Sequence, residues 1–177
     1  MTRFLLHFLL LSVLVSCSDK DAASGNLAPL PVDLPAMLHS IYQQNQFHPV
    51  SKTLQYAGEA TETKPIDSTE FHQDLKFLES FALNDRSFAD QFRQTRDNPL
   101  TYEAISKKPY VRSIMIWPGE TSTPDSIHIS YAMHQITGTR NMELTLIPAY
   151  GFRLEIHEDN RMQKNLNFTV REVWQYE

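Results

Sequence analysis

Residues 127–134 read Ile-His-Ile-Ser-Tyr-Ala-Met-His, so that nearly every second side chain is bulky and apolar. Residues 152–157, Phe-Arg-Leu-Glu-Ile-His, repeat the alternation. A period of two places the apolar side chains on one face of a strand and the polar ones on the other. These two stretches therefore predict an antiparallel sheet with one buried face and one solvated face.

The alternating pattern extends on both sides of these stretches. Residues 110–117 and 142–146 continue it, residues 166–176 close it, and residues 101–105 are the expected start of the sheet. Because the predicted strands follow one another along the chain, a meander is the simplest topology.

Upstream of residue 100, apolar residues recur at helical spacing instead. The clearest helix is predicted over residues 68–82, with Asp67 as its N-cap and Glu70 at the capping-box spacing. Its apolar stripe consists of Phe71, Leu75, Leu78 and Phe81, widened by Phe77 and Ala82. An earlier helix is predicted over residues 35–47.

Two shorter stretches complete the N-terminal half. Residues 58–65 are polar and predict a loop, and a short helix from Ser87 would place Phe88 and Phe92 on its buried side. Helices followed by strands favour the α+β class. We therefore expect N-terminal helices packed on one face of an antiparallel β-meander of about five strands.

The N-terminus predicts export. Arg3 precedes an apolar run over residues 4–15, which is too short to span a bilayer and fits a signal peptide. The run ends in Leu14-Val15-Ser16-Cys17, which resembles the lipobox of bacterial lipoproteins. That resemblance implies lipidation of Cys17, the only cysteine, and cleavage after Ser16. The alternative is an ordinary signal peptide with a chance cysteine.

The predicted organisation has three parts. Residues 1–16 form the signal peptide, residues 17–35 the lipidated cysteine and a flexible tether, and residues 36–177 a single globular domain. Serine rather than aspartate follows Cys17, which suggests the outer membrane. The stretch Ser18-Asp19-Lys20-Asp21, with two acidic residues, also resembles export signals of surface lipoproteins of Bacteroidota, and a plain linker is the alternative.

The order of elements resembles that of small uncharacterised lipoproteins of Bacteroidota. The resemblance covers roughly residues 68–177. It consists of the helix pattern from Phe71 to Phe81, the phrase Asn-Asp-Arg-Ser-Phe-Ala at 84–89, and the terminal meander. These are packing and turn residues, so the resemblance implies a location and a fold but no catalytic residues.

The seven histidines raise the question of a metal site. His128 and His134 share a predicted strand face but lie six residues, or roughly 20 Å, apart. Glu155 and His157 are close, but no third ligand is evident, so a solvated polar face is favoured. His39, His48 and His72 lie on or beside predicted helices and are expected to face solvent.

The sequence predicts no catalytic centre and no cofactor. No Gly-x-Ser-x-Gly elbow or phosphate-binding glycine loop is present, and no pair of carboxylates is expected in an apolar pocket that would raise a pKa. A formal net charge of −5 disfavours nucleic acid as a partner. The last-strand aromatics Phe168, Trp174 and Tyr176 are either a ligand-binding stripe or core, and their spacing favours core.

These observations favour a non-catalytic envelope lipoprotein that is attached to the membrane by its lipid and binds a protein partner. The alternative is a small carrier or sensor that encloses an apolar ligand between the helix and the sheet.

Overall fold

In a computed structural model, the chain is described over residues 32–57, 59–83, 88, 90–161 and 165–174. Cys17 and the predicted signal peptide lie outside these residues. Two short α-helices are present in the described part, α1 (Leu34–Asn45) and α2 (Ser68–Leu78), and a 3-10 turn (Glu79–Phe81) extends the second. The remaining elements are nine strands: β1 (Val50–Tyr56), β2 (Glu62–Ile66), β3 (Phe92–Asp97), β4 (Leu100–Ala104), β5 (Val111–Trp117), β6 (Ser126–Gln135), β7 (Gly138–Ile147), β8 (Gly151–Asn160) and β9 (Leu166–Val173).

All nine strands form one antiparallel sheet in the order β2-β1-β9-β8-β7-β6-β5-β4-β3. Strands β3 to β9 are a meander. The β1–β2 hairpin, which lies between the two helices in sequence, pairs with β9 and so extends the sheet beyond the last strand.

The predicted fold class is wrong. Over the residues that the structure describes, the protein is mostly a nine-stranded antiparallel sheet with two short helices, and not an α+β fold with helices on a five-stranded meander. Strands β1, β2 and β3 were missed because their side chains are mostly exposed or half-buried, so they lack an apolar alternation. The predicted loop over residues 58–65 contains most of β2. In the stretch where a short helix was predicted from Ser87, residues 88, 90 and 91 are helical, and Phe88 and Phe92 are buried as expected. Phe92 itself begins β3 rather than belonging to that helix.

The two helices begin where side chains can cap them. The Asp33 carboxylate accepts a hydrogen bond from the amide of Ala36, and proline occupies the first turn of α1. The Asp67 carboxylate caps α2 by accepting from the amides of Thr69 and Glu70 at 2.9 and 2.8 Å. The predicted cap of α2 is confirmed, although its α-helix ends at Leu78.

The core lies between the helices and one face of the sheet, which we call the inner face. Leu38 of α1 and Phe71 of α2 are fully buried against it, as are Leu144 and Leu146 of β7. The predicted stripe of α2 is buried as expected, except that Phe77 is 48% exposed. The opposite face of the sheet, the outer face, carries the alternate side chains of the same strands.

Candidate functional site

The outer face is built by strand alternation, because neighbouring residues of one strand point to opposite sides. Cross-strand pairing arranges its central side chains in two rows. The first row is Met115, His128, Thr145, Arg153, Arg171 and Thr53, and the second is Ser113, Ser130, Glu143, Glu155, Thr169 and Gln55. The polar groups of six strands thus meet on one surface.

A serine, a glutamate and a histidine are hydrogen-bonded to one another on this face. The Glu143 carboxylate accepts from the Ser130 hydroxyl at 2.9 Å and lies 3.0 Å from Nε2 of His128. Nδ1 of His128 is 3.1 Å from the Thr145 hydroxyl. In a nucleophilic triad the imidazole lies between serine and carboxylate. Here the carboxylate lies between the other two, so His128 is not placed to accept the serine proton.

The histidines do not assemble a metal centre among the described residues. His128 and His134 share the outer face and contact different threonines, Thr145 and Thr139. Nε2 of His157 lies 3.9 Å from Glu155. Within the described ranges, no three His, Cys, Asp or Glu side chains come close enough together to hold a metal ion.

The other predicted positions are mostly placed as expected. His39, His48 and His72 are exposed. Trp174 is buried and its indole N–H donates to the carbonyl of Pro148 at 3.1 Å. Phe168 is half-buried against the core, which confirms packing for these two aromatics, while Tyr176 lies outside the described residues.

Two arginines face each other on the outer face. Arg153 of β8 and Arg171 of β9 are direct cross-strand partners. Nε of Arg153 is 2.9 Å from the Glu155 carboxylate, and Nη2 of Arg171 donates to the Tyr150 hydroxyl at 3.2 Å. The Arg171 guanidinium also lies 5.8 Å from the centre of the Tyr150 ring. No described carboxylate lies within salt-bridge distance of Arg171. The pair lines a depression of about 330 Å³.

The inner face contains a buried charged cluster that the sequence analysis did not predict. Lys52 of β1 is the cross-strand partner of Glu172 of β9, and α2 lies beside both. The ammonium of Lys52 contacts Asp74 at 2.5 Å and Glu70 at 3.2 Å, and lies 3.8 Å from Glu172. Lys64 binds the second oxygen of Glu70 at 3.1 Å. We call these five residues the buried charge cluster after Lys52 and Glu172, since Asp74, Glu70 and Lys64 lie at its more exposed rim.

Glu172 is the unusual member of the cluster, because its side chain is 0% exposed. Burial above all, and then the nearby Asp74 carboxylate, raise the pKa of Glu172 to about 10, although Lys52 opposes the shift. Neither oxygen of the Glu172 carboxyl has a hydrogen-bond partner among the described residues. The Glu172 carboxyl is therefore neutral at pH 7. Burial alone would lower the pKa of Lys52, but Asp74, Glu70 and Glu172 outweigh it and raise that pKa.

The sequence predicts no pair of carboxylates in an apolar pocket and does not single out Glu172, whose surroundings include the charged side chains of Lys52, Asp74 and Glu70. A signal was available, since the apolar series 168, 170, 174 on β9 skips position 172. Lys52 interrupts the series Val50, Leu54 on β1 in the same way. Two polar interruptions on facing strands indicate a buried pair only once the β1–β9 pairing is known.

No protein-family model, curated protein or solved structure matches this chain. Over the residues that the structure describes, no helix is long and apolar enough to cross a membrane.

Proposed function

We propose that the protein is an envelope lipoprotein, attached through a lipid on Cys17, whose outer face binds a protein partner without catalysing a reaction. The observation that supports partner binding is the outer face itself. It presents Arg153 and Arg171 together with the partly exposed apolar side chains Trp117 and Ile147. Aromatic residues and arginine are enriched at protein–protein interfaces.

The small volume of the apolar space between the helices and the sheet favours this proposal over a carrier of an apolar ligand. The apolar space between α1, the 3-10 turn and strands β5 and β6 amounts to about 20 Å³. That is room for about one water molecule, whereas pockets for small ligands measure roughly 300–1,000 Å³.

Site-specific photocross-linking in intact cells of the native host tests the outer face. A photoreactive amino acid replaces His157, which is exposed on the outer face, or His72, which is exposed on α2. We expect a reproducible cross-linked species of one mass from position 157 and none from position 72. The same products from both positions, or no product from position 157, would refute outer-face binding.

The anchor is tested separately with the Cys17→Ala variant. We expect it to lose incorporation of labelled palmitate and to leave the membrane fraction, because lipid chains supply the attachment. Unchanged labelling and unchanged fractionation would rule out the lipid on Cys17.

A further inference from the structure

The depression on the outer face is shaped by the turn before β8 and by three strands. Its lining includes Thr145 and Ile147 of β7, Tyr150 of the turn, Arg153 and Glu155 of β8, and Arg171 of β9, and its volume is about 330 Å³. Both arginine side chains are exposed there. The depression thus combines positive charge with a small apolar wall.

Direct opposition of two arginines is unfavourable by itself. Opposed residues of an antiparallel pair have β-carbons about 5 Å apart, and like charges at that spacing destabilise the sheet. Glu155 neutralises part of the charge of Arg153, whereas the contacts of Arg171 among the described residues are with the hydroxyl and the ring of Tyr150. An anion between the two guanidinium groups would remove this repulsion.

The donors left over are suited to a carboxylate. Each guanidinium carries five N–H donors, and the contacts above use one nitrogen of each. The Tyr150 hydroxyl accepts from Arg171, so its own hydrogen remains to be donated. A planar carboxylate matches the guanidinium fork with two parallel hydrogen bonds. The two guanidinium groups and the Glu155 carboxylate together leave about one net positive charge, which a singly charged carboxylate neutralises.

We propose that the depression between Arg153, Arg171 and Tyr150 is a binding site for a carboxylate group. The group comes either from a free small carboxylate or from an acidic side chain of a protein. The site lies on the face assigned to partner binding but does not depend on that assignment, because it is tested with isolated probes.

The test is a titration of the purified full-length protein, followed by NMR of the arginine Nε–Hε signals. The probes are acetate, acetylated hexaglutamate amide and inorganic phosphate. We expect saturable shifts of the Arg153 and Arg171 signals with a carboxylate probe. Binding of acetate alone identifies a free small carboxylate as the source, and binding of hexaglutamate alone identifies an acidic protein segment.

Variants separate this site from general attraction of anions. Arg171→Gln is expected to weaken binding of the carboxylate probe at least about tenfold, because hydrogen bonds to a charged group are lost. Arg153→Gln provides a second test should the first variant not fold. Arg96→Gln on the distant β3 removes an exposed arginine and is expected to leave binding unchanged.

Three results would overturn the proposal. They are no saturable shift with acetate or hexaglutamate, equal weakening by Arg96→Gln, and tighter binding of phosphate than of either carboxylate. If the carboxylate probes bind but position 157 gives no cross-link, only the docking of a protein on the outer face is contradicted. The reverse result contradicts only the carboxylate site.

Discussion

Replacing Glu172 by glutamine should stabilise the protein at neutral pH. The unfolded chain holds this carboxyl near its ordinary pKa of 4.5, whereas the folded protein raises it to about 10. Folding at pH 7 must therefore protonate Glu172, and each pH unit above 4.5 costs about 1.4 kcal/mol. The free energy of unfolding at pH 7 is therefore lowered by about 3 kcal/mol. Any pKa well above 7 in the folded state gives the same value. Glutamine needs no proton and can donate its amide N–H to Asp74.

The sign follows from proton linkage. Between pH 4.5 and about 10 the folded state binds more protons at position 172 than the unfolded state. Stability contributed by this group is therefore lost as pH rises through that window, at up to about 1.4 kcal/mol per unit. We expect Glu172→Gln to gain less than about 1 kcal/mol over the native protein at pH 5 and about 3 kcal/mol at pH 7.

Urea denaturation at pH 5, 6, 7 and 8 measures this difference. Glu103→Gln makes the same substitution at an exposed position on β4 and controls for the effect of the change on the unfolded chain. A stability difference between Glu172→Gln and the native protein that stays flat from pH 5 to pH 8 would refute the reasoning. That result would mean that Glu172 is ionised in the folded state and paired with Lys52.

Four further substitutions test the fold by urea or thermal denaturation. Asp67→Ala removes the cap of α2 and should cost about 1 kcal/mol; an unchanged midpoint would show that the cap contributes nothing. Phe71→Ala, at a fully buried position, should cost about 3–5 kcal/mol, whereas Phe77→Ala should cost much less because that ring is 48% exposed; equal losses would contradict the assigned orientation of α2. Gly151→Ala would place a β-carbon 2.1 Å from the carbonyl oxygen of Glu172, so we expect it to disrupt the β8–β9 pairing, and native-like stability would disprove the close approach.

The sequence predicts the elements whose side chains divide cleanly between solvent and core. Strands β5 to β9 and helix α2 were found for that reason, since residues such as Ile129, Leu144 and Leu154 repeat at the period of the element. Strand β2 has no such division, because Glu62, Lys64 and Pro65 are all exposed. An edge strand such as β2 is held in the sheet by backbone hydrogen bonds and buries few side chains. An alternation of apolar residues therefore cannot reveal it.

The candidate sites depend on pairings between distant segments. Arg153 and Arg171 are recognisable as outer-face residues from their own strands, but their direct opposition needs the register of β8 against β9. The buried charge cluster needs the pairing of β1 with β9, which a plain meander does not contain. Neither arrangement can be deduced from local spacing alone.

The attachment of the β1–β2 hairpin to the last strand has a consequence for how the chain reaches its final form. Lys52 and Glu172 are neighbours in the sheet although most of the chain separates them. During synthesis the β1–β2 hairpin therefore cannot pair with β9 until residues 166–173 have been made. Loop closure over such a distance slows folding. A chain that ends before β9 leaves one edge of β1 and one edge of β8 unpaired, and such exposed strand edges promote aggregation.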